Sequence, residues 1–112
     1  MSTIDNPRPR LQTLRRELDD RLQRIRADRQ RRAGPLSADS AEQATELENE
    51  DVLARLEQST AADLAQVERA LHREAEGHYG ICERCGEVIE EPRLKALPQA
   101  TLCSHCAGQE GH

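Results

Sequence analysis

Apolar residues recur with a helical period in the first third of the chain. Between Asn6 and Arg32 they follow one another at steps of three or four residues, and almost every position between them is charged or polar. So narrow a stripe is typical of a helix in a two-helix coiled coil. Asn6 and Pro7 suit the start of this helix, and Gly34 and Pro35 suit its end. The apolar positions are Leu11, Leu14, Leu18, Leu22 and Ile25.

A second, longer helix is predicted after this turn. It should start near Ser37–Ser40 and run to Glu76, with Gly77 as its C-terminal stop. Because one short turn separates two helices with narrow apolar faces, we expect them to pair as a long antiparallel coiled-coil hairpin. The stripe of the second helix consists of Ala44, Leu47, Leu53, Leu56, Thr60, Leu64, Val67 and Leu71.

The two stripes also predict a register for the hairpin. Pairing Leu22 with Leu53 makes the paired residue numbers add up to about 75, and this register places Ile4 beside Leu71. Charges of opposite sign approach the turn on the two helices, and such pairs can specify an antiparallel register. The basic run is Arg24, Arg26, Arg29, Arg31 and Arg32, and the acidic run is Asp39, Glu42, Glu46, Glu48, Glu50 and Asp51.

Composition limits the kind of core that the chain can form. Its 112 residues include no Phe or Trp and one aromatic residue, Tyr79; 33% are charged, and the mean hydropathy is −0.85. Long amphipathic helices and a bound metal must therefore supply the stability. The net charge of −5 argues against bulk attraction to nucleic acid. No signal peptide, membrane-spanning run or lipidation motif is visible, so we expect a cytoplasmic protein.

All four cysteines lie in the C-terminal third. They form two CxxC pairs, Cys82 with Cys85 and Cys103 with Cys106, separated by seventeen residues. Two such knuckles supply four thiolates for the tetrahedral coordination that Zn²⁺ favours, and they leave no open position for catalysis. We expect one structural zinc ion; a redox-active dithiol or a thiol-redox sensor is the alternative. No nucleophile–base pair, phosphate loop or open metal site suggests an enzyme.

The cysteine module resembles the zinc finger of the DksA/TraR family of bacterial transcription regulators, and the preceding hairpin resembles that family's coiled coil. The resemblance implies a mainly α fold, with an antiparallel coiled-coil hairpin at residues 1–77, its tip at about residues 33–44, and a four-cysteine zinc finger at residues 78–112. The matching positions on the C-x2-C-x17-C-x2-C frame are Tyr79, Gly80, Cys82, Cys85, Gly86, Ile89, Arg93, Leu94, Ala96, Pro98, Ala100, Cys103 and Cys106.

The resemblance also implies a function. Members of the family bind RNA polymerase without sequence-specific DNA recognition; the coiled coil enters the secondary channel and presents an acidic D-x-x-D-x-A tip near the active site. Counting back from the first cysteine places Asp39, Glu42 and Ala44 at these positions. Glu42 keeps the charge of the second aspartate, but its extra methylene displaces the carboxylate by about 1.5 Å. The resemblance therefore implies a regulator of transcription initiation with an altered tip.

Asp39 and Glu42 have a second explanation that needs no partner. Asp-x-x-Glu is a capping box, in which Asp39 caps a backbone amide of the first turn and Glu42 bonds back to the cap residue. Both carboxylates also suit the positive end of the helix dipole. One residue can serve both purposes, so both explanations stay open.

Two positions bear on regulation by guanosine tetraphosphate. Family members that form a site for this nucleotide with the polymerase use basic residues on the second helix and just before the finger's proline. By count these positions are Gln66 and Leu97, so we expect weak or absent dependence on the nucleotide.

The alternative function is a stress or accessory protein that binds another protein or nucleic acid through the finger or the arginine face.

Overall fold

The computed structural model describes the backbone of residues 6–32 and 40–110, and the side chains of residues 6–31 and 49–109. The regular secondary structure of the described residues is helical, with one isolated bridge between Ile81 and Val88, and turns and loops connect the elements of the finger. Both long helices are confirmed; the two short helices of the finger were not predicted. The elements are α1 (Arg8–Arg32), α2 (Ser40–Ala75), α3 (Glu91–Ala96) and α4 (Ser104–Glu110).

The predicted helix ends lie close to the observed ones. The carbonyl of Pro7 accepts the first helical hydrogen bond, from the N–H of Leu11 at 3.0 Å, so the cap lies one residue after Asn6. Gly77, at φ +80°, ends α2 in a left-handed conformation that glycine adopts without strain. Its N–H donates to the Glu74 carbonyl at 3.0 Å, and the next N–H donates to the Arg73 carbonyl at 2.8 Å. These two bonds form a Schellman motif.

Packing divides the chain into two compact units, and the first of them contains the finger. This unit comprises Met1–Arg15 and Ala65–His112. Within it α1 and α2 run antiparallel: Arg8 pairs with Glu74 at 2.7 Å, and Arg15 pairs with Glu68 at 3.6 Å. The buried helical side chains here are Leu11, Val67 and Ala70.

The second unit, Arg16–Leu64, contains the middle part of the helix pair. Arg29 Nε donates to Glu50 at 2.7 Å, and its Nη1 donates to Glu57 at 2.9 Å. Arg26 also reaches Glu57, at 3.4 Å. Leu22 is buried in this unit, and Thr60 is buried as a polar member of the seam. The charge pairs thus join the helices in an antiparallel arrangement, as the two charged runs predicted.

The predicted register is wrong by about seven residues. The pairs Arg8–Glu74, Arg15–Glu68 and Arg26–Glu57 have residue numbers that add up to 82 or 83, not 75. Seven residues are one heptad, and a slip of one heptad returns every apolar position to the same face. The apolar stripe therefore could not distinguish the two registers. The predicted contact of Ile4 lies outside the described residues.

The finger has a core that consists largely of its own cysteines. Cys82, Cys103 and Cys106 are buried together with Ile89, Leu94 and Ala100, and the side chains of Tyr79 and Leu102 pack against this cluster. No helix that the structure describes is both long and apolar enough to cross a membrane.

Candidate metal centre and tip

The first cysteine pair lies in a tight turn. The N–H of Cys82 donates to the Glu87 carbonyl at 2.7 Å, and the N–H of Gly86 donates back to the Cys82 carbonyl at 3.0 Å. Gly86 has φ +78°, a conformation in which a side chain would be strained. The N–H of Cys85 points to the Cys82 sulfur at 3.5 Å. The turn therefore directs both sulfurs to the same side.

The second pair lies at the start of α4. Cys103 precedes the helix, and its carbonyl accepts the N–H of Ala107 at 2.9 Å. The Glu90 carboxylate accepts hydrogen bonds from the N–H and hydroxyl of Ser104, at 3.3 and 3.2 Å. Hydrogen bonds from the Glu90 backbone and from Ser104 lower the pKa of Glu90. The Glu90 side chain thus anchors the helix that positions Cys106.

The four sulfurs fit a zinc ion. Their Sγ atoms all lie within 4.8 Å of one another, and those of Cys85 and Cys103 are 3.8 Å apart. Tetrahedral zinc with Zn–S bonds of about 2.3 Å places its sulfurs about 3.8 Å apart. A disulfide would require about 2.0 Å. Cys85 is exposed, whereas the other three cysteines are buried. The finger is a site for one structural zinc ion, held by Cys82, Cys85, Cys103 and Cys106.

The ionisation of the thiols also calls for a cation. Burial opposes ionisation of Cys82, but hydrogen bonds from the backbone of Cys85, Cys103 and Arg84 lower the pKa of Cys82 to about 6. Burial and the neighbouring thiols raise the pKa of Cys106 to about 12. Four thiolates this close repel one another unless a positive charge lies between them. A divalent cation supplies that charge.

Side chains of helix α2 and of the finger loop hold the cysteine module in place. Arg73 donates to the Ile81 carbonyl at 2.8 Å, and Arg69 forms an ion pair with Glu83. Gln66 Nε2 donates to the carbonyl of Gln99 and to the hydroxyl of Thr101, both at 3.0 Å. Sequence reasoning missed these bonds, because their residues belong to no motif.

Two residues of the matching frame brace the finger internally. Arg93 Nε donates to the Leu102 carbonyl at 2.9 Å, and the Tyr79 hydroxyl donates to the Pro98 carbonyl at 2.9 Å. Burial raises the pKa of Tyr79. The long loop between the two cysteine pairs is thus held at the carbonyls of Pro98 and Leu102.

Two family models match consecutive parts of the chain. The DnaK suppressor protein-like N-terminal domain matches residues 8–74, and the prokaryotic dksA/traR C4-type zinc finger matches residues 77–110. The chain belongs to the DksA/TraR family. The family is one of transcription factors, and the resemblance seen in the sequence is confirmed.

Solved structures of DksA proteins have the same fold. The structure of transcription factor DksA2 from Pseudomonas aeruginosa superposes with a TM-score of 0.78 at 30% identity, over 94% of this chain and 80% of that one. The solution structure of a DnaK suppressor protein from Agrobacterium tumefaciens gives a TM-score of 0.65 at 35% identity, over 97% of this chain and 95% of that one.

Curated relatives match over shorter stretches. An uncharacterized Aquifex aeolicus protein is 47% identical over 58 residues, 52% of this chain and 40% of the relative. General stress protein 16O of Bacillus subtilis is 44% identical over 39 residues, 35% of this chain and 24% of the relative. The RNA polymerase-binding transcription factor DksA of Caulobacter vibrioides is 44% identical over 39 residues, 35% of this chain and 28% of the relative. The matched stretches thus span less than half the length of these relatives.

The residues of the DksA/TraR tip are not among the described side chains. Asp39 lies outside the described residues. Glu42 and Ala44 belong to helix α2, and their side chains lie outside the described ones. The polymerase-facing role of these three residues therefore stays a prediction, as does the capping box.

The two positions that correspond by count to basic residues in some DksA/TraR members lie close together. Gln66 and Leu97 both line a cavity of about 350 Å³ between α2 and the finger, together with Arg69 and Arg93. The amide of Gln66 is engaged with the finger, and Leu97 is 41% exposed. In this chain, position 66 therefore serves to attach the finger.

Proposed function

We propose that this chain is a DksA-type regulator that binds bacterial RNA polymerase in its secondary channel through the tip of the coiled coil. There it modulates transcription initiation without sequence-specific recognition of DNA. The observation that carries the proposal is the match to DksA2 over 94% of the chain, at a TM-score of 0.78. The printed name of the Caulobacter vibrioides relative, an RNA polymerase-binding transcription factor, supports the same partner.

In this proposal the two parts of the chain have different tasks. The hairpin of residues 1–77 carries the tip, and the finger of residues 78–112 forms the base to which the helices are attached. Asp39 and Glu42 supply negative charge at the tip, and Ala44 contributes only a small side chain next to them. Glu42 reaches about 1.5 Å further than an aspartate would, so its carboxylate meets a fixed polymerase group in a changed geometry.

The proposed role is binding, in the cytoplasm, and not catalysis. Four thiolates around one zinc ion leave no coordination position for a substrate. The hydrogen bonds of Gln66 to Gln99 and Thr101 support weak or absent dependence on guanosine tetraphosphate, because this position carries no positive charge and its amide is already engaged.

The test combines binding with transcription. The zinc-loaded chain is mixed with core polymerase, and binding is followed by co-purification and by titration. We expect binding at micromolar concentration, and we expect Asp39→Asn and Glu42→Gln to reduce the effect on initiation in vitro without abolishing binding. Asp63→Asn is the matched control, because Asp63 is an exposed carboxylate on the same helix.

Two results would contradict the proposal. Absence of binding at micromolar concentration excludes polymerase as the partner. Equal transcriptional effects of the wild-type chain and both tip variants exclude the tip as the active element, whatever the affinity. Glu42→Asp restores the aspartate typical of the family, and we expect it to strengthen the effect if the position of the carboxylate is what matters.

A further inference from the structure

The two sides of the Arg16–Leu64 unit differ in chemistry. One side carries the ion pairs of Arg26 and Arg29 with Glu50 and Glu57. At about 100° per residue, Leu56 lies roughly 100° around α2 from Glu57, away from these pairs. Ion pairs between the helices therefore cover the first side, and Leu56 lies on the second side.

The second side contains an open cleft of about 510 Å³. Ile25 of α1 and Leu53 of α2 line it with large apolar side chains, and both are partly exposed. Arg21 and Arg24 also line it, and the ion pairs found among the described side chains of this unit involve neither of them. Arg31 also lines the cleft and is paired with Asp28 at 3.0 Å.

Exposed apolar side chains flank Leu53 along α2. Val52 is 52% exposed and Leu56 is 47% exposed, although the sequence pattern placed Leu56 in the seam. Val52 and Leu56 are one helical turn apart, so they form a continuous apolar edge. Large apolar side chains that are exposed together, with charged groups around them, mark interaction sites more often than scattered single ones do.

We propose that this surface, which we call the arginine cleft (Arg21, Arg24, Ile25, Leu53 and Leu56), binds an acidic amphipathic helix of a partner protein. Apolar side chains spaced three and four residues apart on the partner would fill the centre between Ile25 and Leu53. Carboxylates beside them would meet Arg21 and Arg24, because guanidinium groups form paired hydrogen bonds with carboxylates. The cleft therefore selects both the periodicity and the charge of its partner.

Two other occupants fit the cleft less well. A nucleic acid backbone would satisfy the arginines, but it offers nothing for the apolar centre, and the net charge of the chain is −5. A second copy in a two-fold dimer would present the same patch to itself and bring arginines toward arginines. An acidic helix matches both the apolar and the basic parts.

This inference does not rest on the proposed function. Tip variants at Asp39 and Glu42 test polymerase regulation, whereas cleft variants test a separate surface. Loss of one activity without the other therefore tells the two apart.

The probe is a synthetic, helix-stapled peptide with leucines at positions i, i+3 and i+7 and glutamates beside them. Its binding to the zinc-loaded full chain is measured by fluorescence anisotropy, and the contact residues are mapped by NMR. We expect shifts at Arg21, Arg24 and Leu53, and affinity that falls as salt rises. A second peptide, with each glutamate replaced by lysine, should bind at least about tenfold more weakly.

Variants of the chain locate the site. We expect Arg21→Glu combined with Arg24→Glu to weaken peptide binding about tenfold or more, and Leu56→Ser to weaken it as well. Arg10→Glu is the control: it reverses an exposed arginine of α1 outside the cleft, and binding should change less than about twofold. Circular dichroism checks that each variant is folded.

Several outcomes would overturn the inference. Equal affinity for the glutamate and lysine peptides removes the charge argument. Shifts confined to other residues place the peptide elsewhere. Sedimentation showing a dimer that the double arginine variant dissociates assigns the surface to a second copy, and tighter binding of a random single-stranded RNA than of the acidic peptide assigns it to nucleic acid.

Discussion

Gln66 on helix α2 and the buried Thr101 of the finger are joined by a hydrogen bond of 3.0 Å, from the side-chain amide to the hydroxyl. The same amide donates to the Gln99 carbonyl. One neutral side chain thus fastens the helix to the loop that separates the two cysteine pairs.

We expect Gln66→Ala to loosen the finger. The substitution leaves the Thr101 hydroxyl and the Gln99 carbonyl without their donor, at a cost of about 1–3 kcal/mol in the free energy of unfolding. Hydrogen exchange at finger amides and urea denaturation measure the effect. Gln58→Ala, at an exposed position of the same helix, is the control. Equal exchange rates in both variants would show that the bond does not hold the finger.

Leu11 is the helical side chain with the most to lose on truncation, since it is 0% exposed. We expect Leu11→Ala to lower the free energy of unfolding by about 2–5 kcal/mol, because the lost burial is accompanied by a cavity. Leu97→Ala, at a leucine that is 41% exposed, should change it by about 0.5 kcal/mol or less. Denaturant titration compares the two variants, and similar values would contradict the burial of Leu11.

Removal of zinc should unfold the finger before the helices. Cys82, Cys103 and Cys106 make up half of the finger's buried cluster, so loss of the ion removes the bonds that hold this half of the core together. We expect one zinc ion per chain by elemental analysis. We also expect a strong chelator to abolish amide protection in residues 77–110. Full protection in the metal-free chain would refute a structural role for the ion.

Glu57 should titrate below the usual range for a glutamate. The hydrogen bond from Arg29 is the main cause of its lowered pKa, with a further contribution from Arg26. A lowered folded-state pKa means that the contribution to stability is present above the unfolded pKa and is lost as pH falls through the folded value. NMR titration of the Glu57 carboxyl measures it. In Arg29→Gln the pKa should move back up, and an unchanged value would show that the pair is absent in solution.

The fold and the metal site could be predicted from the sequence because their signals are local. Gly77 ends α2 as predicted, and the two CxxC pairs come together as expected. The register could not be predicted, since Leu22 can face Leu53 or Thr60 with the same apolar period. The long-range charge pairs distinguish the two registers, because Arg26 lies opposite Glu57 and not opposite a residue seven positions earlier in α2.

The attachment of the finger escaped prediction for a different reason. Gln66, Arg69 and Arg73 are ordinary residues of an amphipathic helix, and nothing in their spacing indicates which loop they will contact. Their partners are backbone carbonyls and polar side chains 8 to 35 residues away. Contacts of this kind become visible only once the chain is folded.

The ion pairs between the helices also have a consequence for the order of folding. Arg29 and Glu50 are 21 residues apart in the chain, Arg26 and Glu57 are 31 apart, and Arg8 and Glu74 are 66 apart. Closing a loop costs more entropy as the loop lengthens, so contacts that are near in the chain form sooner. We therefore expect the helices to zip from the Arg29 pair toward Arg8. The end that carries the zinc finger would then close last, and metal capture would complete the fold rather than start it.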